Sequence, residues 1–232
     1  MPHKIKFSSP FKEFISEPKP SKKVIPEAFK KMLSFAEKDI SKPTVKKCMP
    51  FLDTLTTGYI ISTPVDYLLV KNPETSEYEF KLPPNLPPFF EENFRVEKHQ
   101  LYQMEDSLRY DKRTVDQIFK FINPWKIKTP PGYSCLFTQP LNKNCPFKII
   151  DGIVDTDTFD LTINFPFYWT GESQQQVLLK RDTPMVQIIP FKREQWEMTV
   201  EEDTPDLRVN LKMFSDFWDN YKNKIWHKKD YS

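Results

Sequence analysis

A chain of 232 residues with 38% hydrophobic content, 34 basic and 32 acidic side chains has material for one large core, and its near-neutral balance gives no electrostatic reason to expect nucleic acid or an anionic membrane as partner. Its 4 glycines stand singly among 22 prolines, which excludes the glycine-rich loops that cradle phosphates. Cys48, Cys135 and Cys145 form no CxxC pair and the 3 histidines form no ligand motif, so neither a disulfide framework nor a protein-held zinc or iron centre is expected.

The start, MPHKIKFSSPFKEF, lacks a signal-peptide core, and no apolar run is long enough to span a bilayer, so a cytoplasmic protein is expected. Residues 1–26, with Pro10, Pro18, Pro20 and Pro26 among lysines, read as an extended arm suited to wrapping a neighbour. Pro26 then opens EAFKKMLSFAEK, where Phe29, Met32, Leu33 and Ala36 have the spacing of a short amphipathic helix. Residues 44–70 are rich in β-branched and aromatic side chains and predict two strands broken at Gly58 and Pro64.

Residues 71–95 read as a loop packed by Phe89, Phe90 and Phe94; LPPNLPP within it is either a connector or a polyproline ligand. Residues 96–110 alternate as a strand does, and 114–122 fit a strand or a helical turn equally. From 123 to 191, short β-rich runs alternate with Pro, Gly, Asn and Asp, the pattern of a sandwich or barrel. The period changes over 205–229. Leu207, Leu211, Phe214, Trp218, Tyr221 and Ile225 mark one apolar stripe of a C-terminal helix, with Pro205 at its start and a basic end bearing Lys222, Lys224, Lys228 and Lys229. The organisation expected is an arm over 1–26, one β-rich domain over 27–204 and a helix over 205–232. The fold class is mainly β (α+β), a β-clip-like or β-sandwich core.

Pro130-Pro131-Gly132, then Gly152-Ile153-Val154-Asp155-Thr156-Asp157, then Met185-Val186-Gln187-Ile188-Ile189 follow in the order and spacing of the β-clip core of dUTPases and dCTP deaminases. Segment 130–191 resembles that core. The resemblance implies a shared fold, trimers with sites between subunits, and Asp155 as the acid that orients sugar and attacking water. The chain departs from the pattern at Thr158 and Asp160, where the family has Tyr and Gly. Thr138-Gln139-Pro140-Leu141-Asn142 replaces the phosphate motif with its Arg and Ser. A longer match, carried by CMPFLDTLTTGYII, NPWKIKTPPGYSCLFTQPLN, DGIVDTDTFDLTINFPF and TPMVQIIPFKREQWEM, is similar to a family without established activity in tailed phages of marine bacteria and in scattered bacterial genomes. It implies a phage source.

Asp155 and Asp157, two apart, would share a strand face, with Asp151 beside them. Such a pair either recruits a cation, with Mg²⁺ arriving on a substrate phosphate, or sits solvated in a turn. Trp125 and Asn142 could form the wall of a ligand site, or be core and turn. Gln187, polar within an apolar run, needs a hydrogen-bond partner, and a neighbouring backbone would serve. Two functions follow as expectations. One is a phage-encoded binding or assembly protein without cofactor, engaging protein partners or itself, as a homotrimer for example, in the host cytoplasm or on the virion. The other is a divergent nucleotide hydrolase using Asp155, Asp157 and Mg²⁺.

Overall fold

The computed structural model describes residues 3–103, 117–171, 176–202 and 221–232. Among them the strands in chain order are β1 (Lys6–Ser8), β2 (Lys19–Pro20), β3 (Tyr59–Ser62), β4 (Tyr67–Lys71), β5 (Tyr78–Lys81), β6 (Val96–His99) and β7 (Ile118–Phe121). They continue with β8 (Lys126–Lys128), β9 (Tyr133–Thr138), β10 (Phe147–Ile149), β11 (Gly152–Val154), β12 (Phe165–Trp169), β13 (Gln176–Leu179) and β14 (Pro184–Lys192). The α-helices described are α1 (Glu27–Lys31), α2 (Met49–Thr56) and α3 (Pro88–Phe94). The protein is therefore mainly β, with antiparallel sheets and short helices. The chain divides into two compact units, one of residues 1–19 and 58–192, the other of residues 20–57 and 193–232.

The first unit holds the sheets. The order β10-β12-β7-β6 makes one, β13-β4-β5 a second, β1-β8 a third, and β11-β9-β14-β3, extended at its far edge by Lys19 of β2, a fourth. Phenylalanine explains how the core is filled. On β7 and β12, Phe121 lies opposite Phe165 and Phe119 opposite Phe167, while Phe147 of β10 lies opposite Trp169. With a period of two, these rings share one face. Phe121 and Phe167 stack at 4.0 Å, and Phe80 of β5 meets Phe119 edge-on at 5.0 Å. The other face of the same sheet carries an ion-pair cluster in which Lys120 and Arg95 both pair with Glu97. Tyr67, fully buried, donates its hydroxyl to the carbonyl of Phe94 at 2.7 Å.

β14 is the central strand of its sheet. Val186, Gln187 and Ile188 face Ile61, Ile60 and Tyr59 of β3, and residues Gln187 to Lys192 run against Thr138 to Tyr133 of β9. Gly58 precedes β3 at φ +70°, and a Cβ there would overlap the carbonyl oxygen of Ile188. Glycine is required on both counts.

The second unit contains α1 and α2, which meet through the stacked rings of Phe29 and Phe51 at 5.7 Å. Lys46 Nζ donates to the carbonyls of Phe29 and Lys30 at the end of α1, where cations are favoured. Asp53 of α2 accepts from Trp226 Nε1 at 3.0 Å and from Lys229 Nζ at 2.6 Å.

Several expectations change. The strand predicted through 49–56 is helix α2. Pro50 suits a first turn, and the Thr54 and Thr56 hydroxyls donate back to the carbonyls of Phe51 and Leu52. The helix predicted from Pro26 ends at Lys31. The 71–95 loop contains β5 and then α3, which buries Phe90 and Phe94. The ambiguous 114–122 stretch is strand from Ile118, and the 96–110 strand ends at His99; the intervening residues 104–116 lie outside the described residues. Most of the C-terminal helix expectation also lies outside them. Residues 221–225 form a single π turn, and the helix does not reach 229. Within residues 1–26, β1 and the buried Ile15 belong to the first unit and residues 20–26 to the second.

Candidate functional site

The acidic segment begins where β11 ends. The strand stops at Val154, and the carbonyl of Asp155 accepts from the N–H of Thr158 at 3.1 Å, the N–H of Phe159 at 2.8 Å and the Thr158 hydroxyl at 3.2 Å. Asp155 and Asp157 are therefore turn residues and not neighbours on a strand face, a position to which aspartate is suited because its side chain also accepts local hydrogen bonds. Asp155 Oδ1 accepts from the buried Ser134 hydroxyl at 2.6 Å. Asp157 Oδ2 accepts from the N–H of Gly132 at 2.8 Å, and Gly132 sits at φ +85°. Between them Thr156, fully buried, meets Thr129 hydroxyl to hydroxyl at 2.7 Å and donates to Cys135 Sγ at 3.3 Å. Three successive side chains thus fasten the 155–157 turn to the turn carrying Pro130, Pro131 and Gly132 at the start of β9.

Lysines complete this end of the unit. Lys126 and Lys128 of β8 reach Asp160 at 2.8 and 3.2 Å, and their hydrogen bonds hold its carboxyl below the ordinary range. Burial pushes the Cys135 thiol up to about 11, which leaves it an inert, protonated core group. Asp151, expected beside the acidic pair, faces Lys148 at 3.9 Å instead. Among the described residues, no set of three His, Cys, Asp or Glu side chains could hold a metal ion.

The other candidates lie elsewhere. Gln187 is fully buried in β14 opposite Thr138, and its Oε1 accepts from the N–H of Leu141 at 2.8 Å. It fixes the turn after β9, in which Asn142 is exposed at φ +53°. Ser134 and Thr138 are four residues apart on β9, about 13 Å at the usual strand rise. The acidic turn and the Gln187–Asn142 pair therefore occupy opposite ends of that strand. Trp125 is in neither place. It is 3% exposed in the aromatic core, where Asn123 accepts from its N–H at 3.0 Å and donates to its carbonyl at 2.7 Å. A ring so enclosed is packing and offers no stacking face to a ligand.

Among the described residues, cavities open on the first unit, and two of them are lined by none of Asp155, Asp157, Trp125, Asn142 or Gln187, although the first borders the LPPNLPP segment. One of about 370 Å³ lies against Phe80, Leu82, Pro83, Leu86 and Arg95. The other, about 380 Å³, lies against Glu77, Lys98, His99, Gln100 and Tyr102, with Lys98 and Glu77 paired at 2.9 Å. Burial, with Lys120 nearby, holds His99 below its ordinary value.

A buried polar group that sequence reading missed lies in the loop between β9 and β10. Lys143 Nζ is buried and, among the described residues, has no hydrogen-bond partner; burial lowers it to about 8. Beside it, Cys145 is raised to about 11 by burial, and Gln139 accepts from the N–H of Ile149 at 2.8 Å. A lysine among asparagines carries no pattern that would single it out.

No helix among the described residues is long and apolar enough to cross a membrane. No protein-family model matches the chain, and no curated protein matches it.

Proposed function

We propose that this chain is a phage-encoded, β-clip-like binding or assembly protein of the host cytoplasm or the virion, engaging protein partners or copies of itself and lacking standard catalytic motifs. The observation that carries this reading is the separation of the candidate residues. Asp155 and Asp157 fasten one turn, Gln187 fastens another about 13 Å away along β9, and Trp125 is core. A hydrolase needs its groups converging within hydrogen-bond reach of one reacting atom. A homotrimer remains the assembly that the β-clip resemblance implies.

The second reading, a divergent nucleotide hydrolase, draws support from one contact. The Pro130–Gly132 turn and the Asp155–Asp157 turn are joined, as a shared β-clip site would require. Under that reading Asp155 and Asp157 would be the residues near a nucleotide-borne Mg²⁺, a hard cation that takes carboxylate oxygens.

Thermal unfolding against a panel of deoxynucleotides, with and without Mg²⁺, separates the two. A ligand bound only by the folded state must raise the midpoint. The binding reading expects a flat panel. A rise of several degrees with one nucleotide, lost in Asp155→Asn, would replace it with the hydrolase.

A further inference from the structure

Residues 195–202, QWEMTVEE, follow β14 and are exposed throughout. Trp196, Met198 and Val200 are 88%, 86% and 87% exposed. Among the described residues, none of the eight makes a hydrogen bond or an ion pair. Single exposed apolar side chains are ordinary. Three at every second position, on a backbone whose donors and acceptors are open, are not. That spacing is the pattern of a strand with one apolar face, Trp196, Met198 and Val200, and one polar face, Gln195, Glu197, Thr199 and Glu201.

The same chain carries an edge of matching character. β1 pairs with β8 alone, so its outer edge is open. Lys4, Lys6 and Ser8 are exposed on one face, while Ile5 and Phe7 on the other are partly buried against the core. Lys6 lies opposite Lys128 and Ser8 opposite Lys126, so lysines line the polar face across both strands. Lys4 and Lys6 have no ion pair among the described residues, and neither do Glu197 and Glu201.

We propose that residues 195–202 of one chain add as a strand to the outer edge of β1 in a second copy of this chain. The argument is two-faced complementarity. Because side chains alternate strictly, a register that sets Trp196, Met198 and Val200 on the face of Ile5 and Phe7 sets Glu197 and Glu201 on the face of Lys4 and Lys6, and a register with one glutamate directly opposite a lysine leaves the other diagonal to its neighbour. Opposite charges on neighbouring strands stabilise the pairing, and backbone hydrogen bonds supply sequence-independent affinity. Donor and acceptor are different surfaces, so the contact is reciprocal within a pair or runs head to tail into a ring or an open filament. This inference deepens the assembly reading and rests on it.

The test is sedimentation equilibrium of the full chain. Wild type is expected at the mass of two or more chains. Reversing the donor charges (Glu197→Lys with Glu201→Lys) or the acceptor charges (Lys4→Glu with Lys6→Glu) should weaken association about tenfold, and combining all four should restore it to within about threefold. Met198→Pro removes a backbone donor from the added strand. It should abolish association while leaving the unfolding midpoint equal to that of wild type at dilutions where both are single chains, because the segment makes no hydrogen bond or ion pair within its own chain among the described residues. A single-chain mass for wild type up to about 100 µM overturns the proposal. So does association unchanged by Met198→Pro, or a four-fold swap that fails to restore it. The nucleotide panel is read independently: a monomer with a flat panel refutes strand addition alone, whereas nucleotide turnover refutes the binding reading.

Discussion

Replacing Lys143 with methionine should stabilise the protein at neutral pH, and the gain should vanish in base. Burial holds the amine at about 8 against an ordinary 10.5, and its Nζ has no hydrogen-bond partner among the described residues. At about 1.4 kcal/mol per pH unit, that displacement sets a ceiling of about 3 kcal/mol. The residue as a whole is only partly buried, so solvent screening reduces this to about 1–2 kcal/mol. Methionine keeps an unbranched stem of similar length and removes the charge. The sign follows from proton counting. Below about 8 both folded and unfolded chains carry the proton, and the folded state bears the full cost. Between about 8 and 10.5 the unfolded chain binds more protons, so wild-type stability rises with pH relative to the variant. Cys145, raised to about 11 by burial, titrates in overlapping base and feels the Lys143 charge, so both proteins are compared in a Cys145→Ser background. Urea unfolding of both at pH 6, 7, 9 and 10.5 gives the comparison. A destabilised variant, or a gain that does not change with pH, would refute the reasoning.

Two further substitutions probe the backbone fasteners. Gly58→Ala places a methyl group against the carbonyl of Ile188 at a backbone angle of φ +70°, and should cost at least about 2 kcal/mol, read from the denaturation midpoint. Gln187→Leu leaves the N–H of Leu141 without its acceptor, which should cost about 1–3 kcal/mol and speed hydrogen exchange at that amide above all others in the loop.

The sequence is most legible where side-chain period and turn chemistry agree. Strands β8 to β14 fall within the block whose β-rich runs are punctuated by Pro, Gly, Asn and Asp, and the buried partner demanded by Gln187 is a backbone N–H. It misleads where propensity and context disagree. The threonines of LDTLTT argue for strand, yet their hydroxyls satisfy helix carbonyls in α2. Asp155 and Asp157 illustrate a subtler failure. Spacing of two implies a shared face only while the strand continues, and β11 ends one residue earlier. Trp125 reads equally as ligand platform or core, because nothing local encodes how many phenylalanines will surround it. Lys143 has no local signal at all, since the burial of its amine comes from folding.

The pairing of β14 has a consequence for how the protein is made. Ile60 and Ile61 of β3, each 1% exposed in the finished fold, face Gln187 and Val186. The ribosome releases those isoleucines about 125 residues before the strand that covers them. At ordinary synthesis rates that interval is roughly 6 to 25 s, long compared with collapse or hairpin formation. Throughout it, a strongly apolar strand edge is available to any neighbouring nascent chain. The yield of folded protein in a cell therefore depends on what shields β3 during those seconds.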